Sequence, residues 1–183
     1  MKHALVVGGT GMLKTTSLWL TQNGYHVSII ARSQERMERL IMEANDPSLI
    51  TPLYVDYTDT FTLEEKLRVC IEINGPISLV VAWIHSIGKK ALFTIIEEVT
   101  KCDLHWDLYH ILGSSANFSE MKERANVPSQ CTYHQIQLGF VINNGNQSRW
   151  LTDSEISNGV IQAMEDKKLI HTVGRLEPWE KRP

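Results

Sequence analysis

Long apolar runs, paired cysteines and an excess of basic charge are all missing from this chain, and each absence closes off a class of protein. The N-terminal apolar run, Ala4 to Val7, stops at Gly8, too short for a signal peptide, and no later stretch approaches a membrane span. Cys70, Cys102 and Cys131 are odd in number, lie far apart and form no C-x-x-C pair, which points to a reducing compartment and buried thiols. With 18 basic against 21 acidic residues, the net charge of -3 argues against a general surface for nucleic acid or membrane lipid. It leaves room for a local basic pocket around Lys14 and Arg32. The histidines make no HxH or HxxxH spacing, so no metal is assigned. The expectation is a cytoplasmic protein acting on a small molecule of unknown identity.

What the chain does contain is an alternation of strand and helix patterns without repeats or linkers. At 183 residues and 43% hydrophobic it can bury a core unaided. Residues 1–175 read as one domain and 176–183 as a polar tail, with Trp179 the apolar residue that pins it to the body or to another chain. After a first strand, a helix is expected over about Met12 to Gln22, stopped by Asn23-Gly24. Tyr25 to Ala31 is a strand, and Ser33 caps a helix whose Met37, Leu40, Ile41 and Ala44 share one face. Strands at Ile50 to Val55, Ile77 to Ile84 and Trp106 to Leu112 alternate with helices carrying Leu63, Leu67 and Cys70, then Leu92, Ile95, Ile96 and Val99. A short helix bears Phe118, Met121 and Ala125. Thr132 to Ile142 alternates apolar residues with Gln135, Gln137 and Gly139, implying a strand with one buried and one more polar face. Asn143 to Asn146 is a turn, Thr152-Asp153-Ser154-Glu155 is a capping box with Leu151 and Ile156 as its staple, and Leu169 to Val173 closes the chain as a strand. This order gives an α/β fold: a doubly wound, mostly parallel sheet of six or seven strands with helices on both faces.

The chemistry concentrates at Gly8, Gly9, Thr10, Gly11, Met12 and Leu13, where a strand breaks into glycines and then into a helix. Such a loop turns tightly and lets helix N-terminal amides face a pyrophosphate. Arg32, after the second strand, stands where an acidic residue would bind a ribose 2′-hydroxyl and an arginine accommodates a 2′-phosphate. The cofactor expected is therefore NADP, with NADPH preferred over NADH. Gly8 to Thr15 also approximates the phosphate loop of ATP- and GTP-hydrolysing proteins. Leu13, however, stands where glycine should precede the lysine, and no acidic residue ends the fourth or fifth strand to organise magnesium.

On these residues the chain resembles the short-chain dehydrogenase/reductase superfamily, whose loop reads Gly-x-x-Gly-x-x-Gly; Gly8 and Gly11 match and Lys14 replaces the third glycine. The resemblance implies a Rossmann fold, an NADP-preferring Arg32-Ser33 pair, Asp56 against the adenine, and oxidation or reduction of a small carbonyl or alcohol. It also implies a serine after strand five, matched by Ser114 or Ser115. The family's tyrosine and lysine four residues apart are not matched: the residues four beyond Tyr25, Tyr54, Tyr57, Tyr109 and Tyr133 are Ile29, Thr58, Phe61, Gly113 and Gln137. Tyr133 lies at a suitable distance after Ser115 but within a strand pattern. By position, His85 at the end of strand four is the candidate proton relay, with Ser114 or Ser115 orienting it. The competing expectation is a dinucleotide-binding redox sensor or partner-binding module without catalysis. Pairing into a homodimer through the helices at 61–74 and 89–101 is left open.

Overall fold

The computed structural model describes residues 1–143 and 147–183. Seven parallel strands form one sheet: β1 (Lys2–Val7), β2 (Tyr25–Ala31), β3 (Ile50–Tyr54), β4 (Ile77–Trp83), β5 (Trp106–Leu112), β6 (Cys131–Leu138) and β9 (Ile170–Val173), in the order β3-β2-β1-β4-β5-β6-β9. The order reverses between β1 and β4, which places the topological switch point at the carboxyl ends of those two strands. Helices cover both faces, so the central strands β1 and β4 carry continuous apolar runs rather than an alternation. In β1, Ala4 and Val6 pack on one face and Leu5 and Val7 on the other.

One face carries α1 (Lys14–Gln22), α2 (Gln34–Glu43) and α6 (Asp153–Glu165), which bury Leu20, Met37, Leu40 and Val160. The opposite face carries α3 (Thr60–Asn74), α4 (Lys89–Thr100) and α5 (Phe118–Ala125), which bury Leu63, Leu67, Ile95 and Ala125. Burying such a leucine, isoleucine or methionine is worth about 1.5–3 kcal/mol each. The apolar stripes therefore fix which side of each helix meets the sheet. No helix among the described residues is long and apolar enough to cross a membrane.

Local signals set the element ends. Ser33 accepts from the Arg36 N–H at 3.3 Å, and Gly24, at φ +81°, turns the chain from α1 into β2. The Thr152–Glu155 capping box forms in both directions, and Leu151 and Ile156 meet in one apolar cluster. Two expectations shift. Helix α1 begins at Lys14 rather than Met12, because the Gly8 carbonyl accepts from the N–H groups of Gly11 (3.2 Å) and Leu13 (3.4 Å), winding that stretch into a turn. The expected strand over 132–142 breaks at Gly139, where the Arg175 backbone passes too close for any side chain. Its end becomes β7 (Phe140–Ile142), paired antiparallel with β8 (Ser148–Trp150), an element the sequence did not announce. The turn expected at 143–146 lies outside the described residues except for Asn143, whose N–H donates to the Gln147 carbonyl at 2.8 Å.

Strand β6 also differs in character. Gln135 and Gln137 are each 4% exposed, so its polar side does not face water. Their amides instead donate to main-chain carbonyls of the segment after β5: Gln135 to Phe118 (2.8 Å), and Gln137 to Ser114 (3.0 Å) and Ala116 (2.9 Å). In the tail, the Arg182 guanidinium lies over the rings of Trp179 (4.7 Å) and Trp150 (5.2 Å). That stacking ties 176–183 to the β7–β8 hairpin.

Candidate functional site

The glycine loop sits at the carboxyl end of β1, at the switch point. Gly8 has φ +88°, a conformation that glycine adopts freely. Gly9 is packed: a Cβ there would lie 2.7 Å from Ser17 Oγ and 2.8 Å from Ile29 Cγ2. Gly11 is open, with only the Gly8 carbonyl at 4.0 Å from such an atom. The close helix-to-sheet approach thus falls at Gly9 against Ser17, which is why a lysine is tolerated at position 14. Among the described residues, no protein group accepts from the N–H of Gly9, Thr10 or Met12. An open loop with uncommitted amides at a helix start with no acidic residue in its first turn fits a diphosphate.

Helix α6 braces this loop. The buried Ser157 hydroxyl donates to the Met12 carbonyl at 2.7 Å, and its main-chain carbonyl accepts from Thr16 Oγ1 at 3.4 Å. Sequence reasoning missed Ser157, since a serine inside a helix pattern carries no signal of a contact 145 residues away.

The flanking charges pair off. Lys14, read as part of a basic pocket facing phosphate, instead donates to both Glu43 oxygens at 2.9 Å, across to the last turn of α2. Arg32 is 76% exposed and lies 3.5 Å from Asp56. Asp56 in turn accepts from the Thr58 N–H (3.0 Å) and hydroxyl (2.8 Å), and these bonds, with Arg32 adding to them, hold its carboxyl below the usual range. Arg32 and Asp56 therefore pair beyond the carboxyl ends of β2 and β3, while the Ser33 hydroxyl is taken up in capping α2.

Beyond β4 and β5 lies a cavity of about 540 Å³, within the range of small-molecule sites. Its walls include Trp83, His85, Gly113 and His110. Trp83 also touches the loop, since a Cβ on Gly8 would lie 3.5 Å from its own Cβ. The exposed His85 sits edge-on to Trp83 with ring centroids 5.4 Å apart, and its main-chain N–H donates to the Tyr57 hydroxyl at 3.4 Å. Gly113 and Ala116 line the cavity, whereas Ser114 and Ser115 between them do not: Ser114 is buried and Ser115 exposed.

Tyr133 is not among the lining residues. Its hydroxyl is 2.7 Å from Nδ1 of His110, a residue that does line the cavity. Burial lowers the His110 pKa to about 4 and pushes the Tyr133 phenol up, the latter offset in part by a hydrogen bond from Gln135. At neutral pH both groups are uncharged. His110 was not singled out from the sequence; its one sign is an imidazole inside the apolar run Leu108 to Leu112.

No protein-family model matches the sequence, and no curated protein matches it. Solved structures do match along nearly the whole chain. A short-chain dehydrogenase/reductase, glucose/ribitol dehydrogenase, from Brucella melitensis superposes with a TM-score of 0.73 at 10% identity, covering 94% of each chain. A short-chain dehydrogenase/reductase family oxidoreductase from Aeromonas hydrophila gives 0.69 at 12% identity, covering 96% of this chain and 99% of that one. An alcohol dehydrogenase from the archaeon Thermococcus sibiricus, solved with 5-hydroxy-NADP, gives 0.68 at 14% identity, over 93% of this chain and 94% of that one. With its seven parallel strands in doubly wound order, this chain has the fold of the short-chain dehydrogenase/reductase structures.

Proposed function

We propose that the chain binds NADP(H) across the switch point and acts as an oxidoreductase on a small carbonyl or alcohol. The observation that carries this is the glycine loop at the switch point, where the N–H groups of Gly9, Thr10 and Met12 have no protein acceptor among the described residues. The N–H groups of Gly9, Thr10 and Met12 hold the diphosphate, with Gly8, Gly11 and Leu13 shaping the turn. Arg32 and Ser33 receive the 2′-phosphate, and Asp56 lies against the adenine. Bound there, the nicotinamide would supply the hydride. On the protein side, His85 gives a proton to the carbonyl oxygen as the alcohol forms, or takes one in the reverse direction. Ser114 or Ser115, in the segment just after β5, orients the imidazole. Tyr133 acts at one remove, by fixing the His110 ring.

The test is a fluorescence titration with NADPH, NADH and ATP. Replacing Arg32→Asp should weaken NADPH by about 10- to 100-fold, the worth of a charge-assisted hydrogen bond. NADH should be nearly unaffected; equal losses for both would remove Arg32 from the 2′-phosphate. Preferred binding of ATP would overturn the dinucleotide assignment. Turnover is tested by following NADPH oxidation against a carbonyl panel, where His85→Ala and Ser115→Ala should abolish the rate while NADPH affinity persists.

A second reading, a dinucleotide-binding redox sensor or partner-binding module without catalysis, draws support from Tyr133. Its hydroxyl is engaged by His110 rather than presented to the cavity. NADPH binding with no turnover of any panel member would select it.

A further inference from the structure

The cavity beyond β4 and β5 has a distribution of polarity that specifies a ligand. Its body is apolar, built from Leu92, Phe93, Ile111 and Met121, and its charged lining residues are the cations Lys89 and Arg124, with no carboxylate among the lining. Both are exposed, and Arg124 is ion-paired with Glu120 on its own helix. Lys89 has no acidic partner among the described residues.

Of the wall's other polar side chains, His85 and Ser86 are exposed, whereas His110 is 7% exposed. Tyr133 defines its tautomer. We assign the Tyr133 O–H as the donor to His110 Nδ1, its one protein acceptor among the described residues. In the neutral ring the remaining hydrogen is then on Nε2. Nε2 has no protein partner among the described residues, and it is not among the buried atoms cut off from the surface, which places it at the cavity wall.

We propose that this cavity binds an amphipathic small molecule with an apolar body, an acceptor oxygen that meets His110 Nε2–H, and an anionic group held at Lys89 and Arg124. An apolar oxo acid is the simplest member of that class. The inference stands on the cavity alone and needs no bound nucleotide.

Calorimetry on the nucleotide-free protein with 7-oxooctanoate, octanoate and 2-octanone separates the two recognition elements. The oxo acid should bind most tightly, about fivefold over octanoate for the inner hydrogen bond and about threefold over the ketone for the exposed charge pairing at low salt. Lys89→Gln with Arg124→Gln should erase the preference for the acid over the ketone and leave the oxo preference intact. His110→Phe should do the reverse. Because that change also strips Tyr133 of its acceptor, the His110 ring nitrogens of the native protein provide a second readout, their NMR shifts moving with 7-oxooctanoate but not with octanoate. Equal affinity for the three ligands, binding of none, or preferences indifferent to these variants would overturn the proposal, whether or not NADPH binds.

Discussion

Gly9 and Gly11 are two positions apart in one loop, and their environments assign them different work. A methyl group at Gly9 collides with Ser17 and Ile29, so Gly9→Ala should lower stability by about 1–3 kcal/mol, the cost of overpacking a core. At Gly11 a methyl group meets only the Gly8 carbonyl, at 4.0 Å and without collision. Gly11→Ala should therefore melt like the native chain in urea and lose NADPH affinity, because the methyl group occupies the crevice. The same unfolding effect at both sites would contradict this division. His110 makes a pH prediction at the same scale. Its folded pKa of about 4 lies below the unfolded value of 6.5, so between those pH values the unfolded chain holds a proton that the folded chain does not. Stability conferred by keeping the ring neutral is present above pH 6.5 and is lost on acidification towards 4. Urea unfolding at pH 7 and pH 5 should show a smaller drop for His110→Phe than for the native protein.

At the scale of elements, the start of α6 is the most heavily determined junction in the chain. Glu155 accepts from the Thr152 N–H at 2.9 Å and from Arg149 at 2.8 and 2.9 Å, while Thr152 accepts from the Glu155 N–H at 3.2 Å. Arg149 is the largest influence, and together these bonds lower the Glu155 pKa from 4.5 to about 2. A depressed acid stabilises above its unfolded pKa and stops doing so as pH falls through the folded one. The melting temperature of Glu155→Gln should accordingly lie below native at pH 7, with the gap closing between pH 4.5 and about 2. Thr152→Ala should cost about 1 kcal/mol by loss of the cap. The capping box was legible because its partners are three residues apart. Arg149 was not, since it arrives from β8, a three-residue strand too short to leave a pattern.

For the molecule as a whole, the contact between the first and last long helices couples the glycine loop to the C-terminal third of the chain. Ser157→Ala removes a buried hydrogen bond to Met12 and should cost about 1 kcal/mol, while lowering NADPH affinity severalfold through a loosened loop. Unchanged NADPH affinity in a variant of lowered melting temperature would make Ser157 structural alone. The sheet order was legible because largely apolar strands such as β4 alternate with amphipathic helices and glycine or proline punctuates the connections. The break at Gly139 was not, because it is imposed by Arg175, which meets Gly139 only in three dimensions.

Periodicity, caps and the glycine loop are local, depending on residues within a turn or two of each other, and so the alternation of the main-sheet strands with helices, the doubly wound architecture and the position of the loop were determined by the sequence alone. The partners of Lys14 and Arg32, the inward turn of Gln135 and Gln137, and the placing of Tyr133 behind His110 were decided only by the tertiary structure. Each depends on side chains brought together across strands or helices, and burial, not residue type, sets which of them meets a ligand and which holds its neighbour in place.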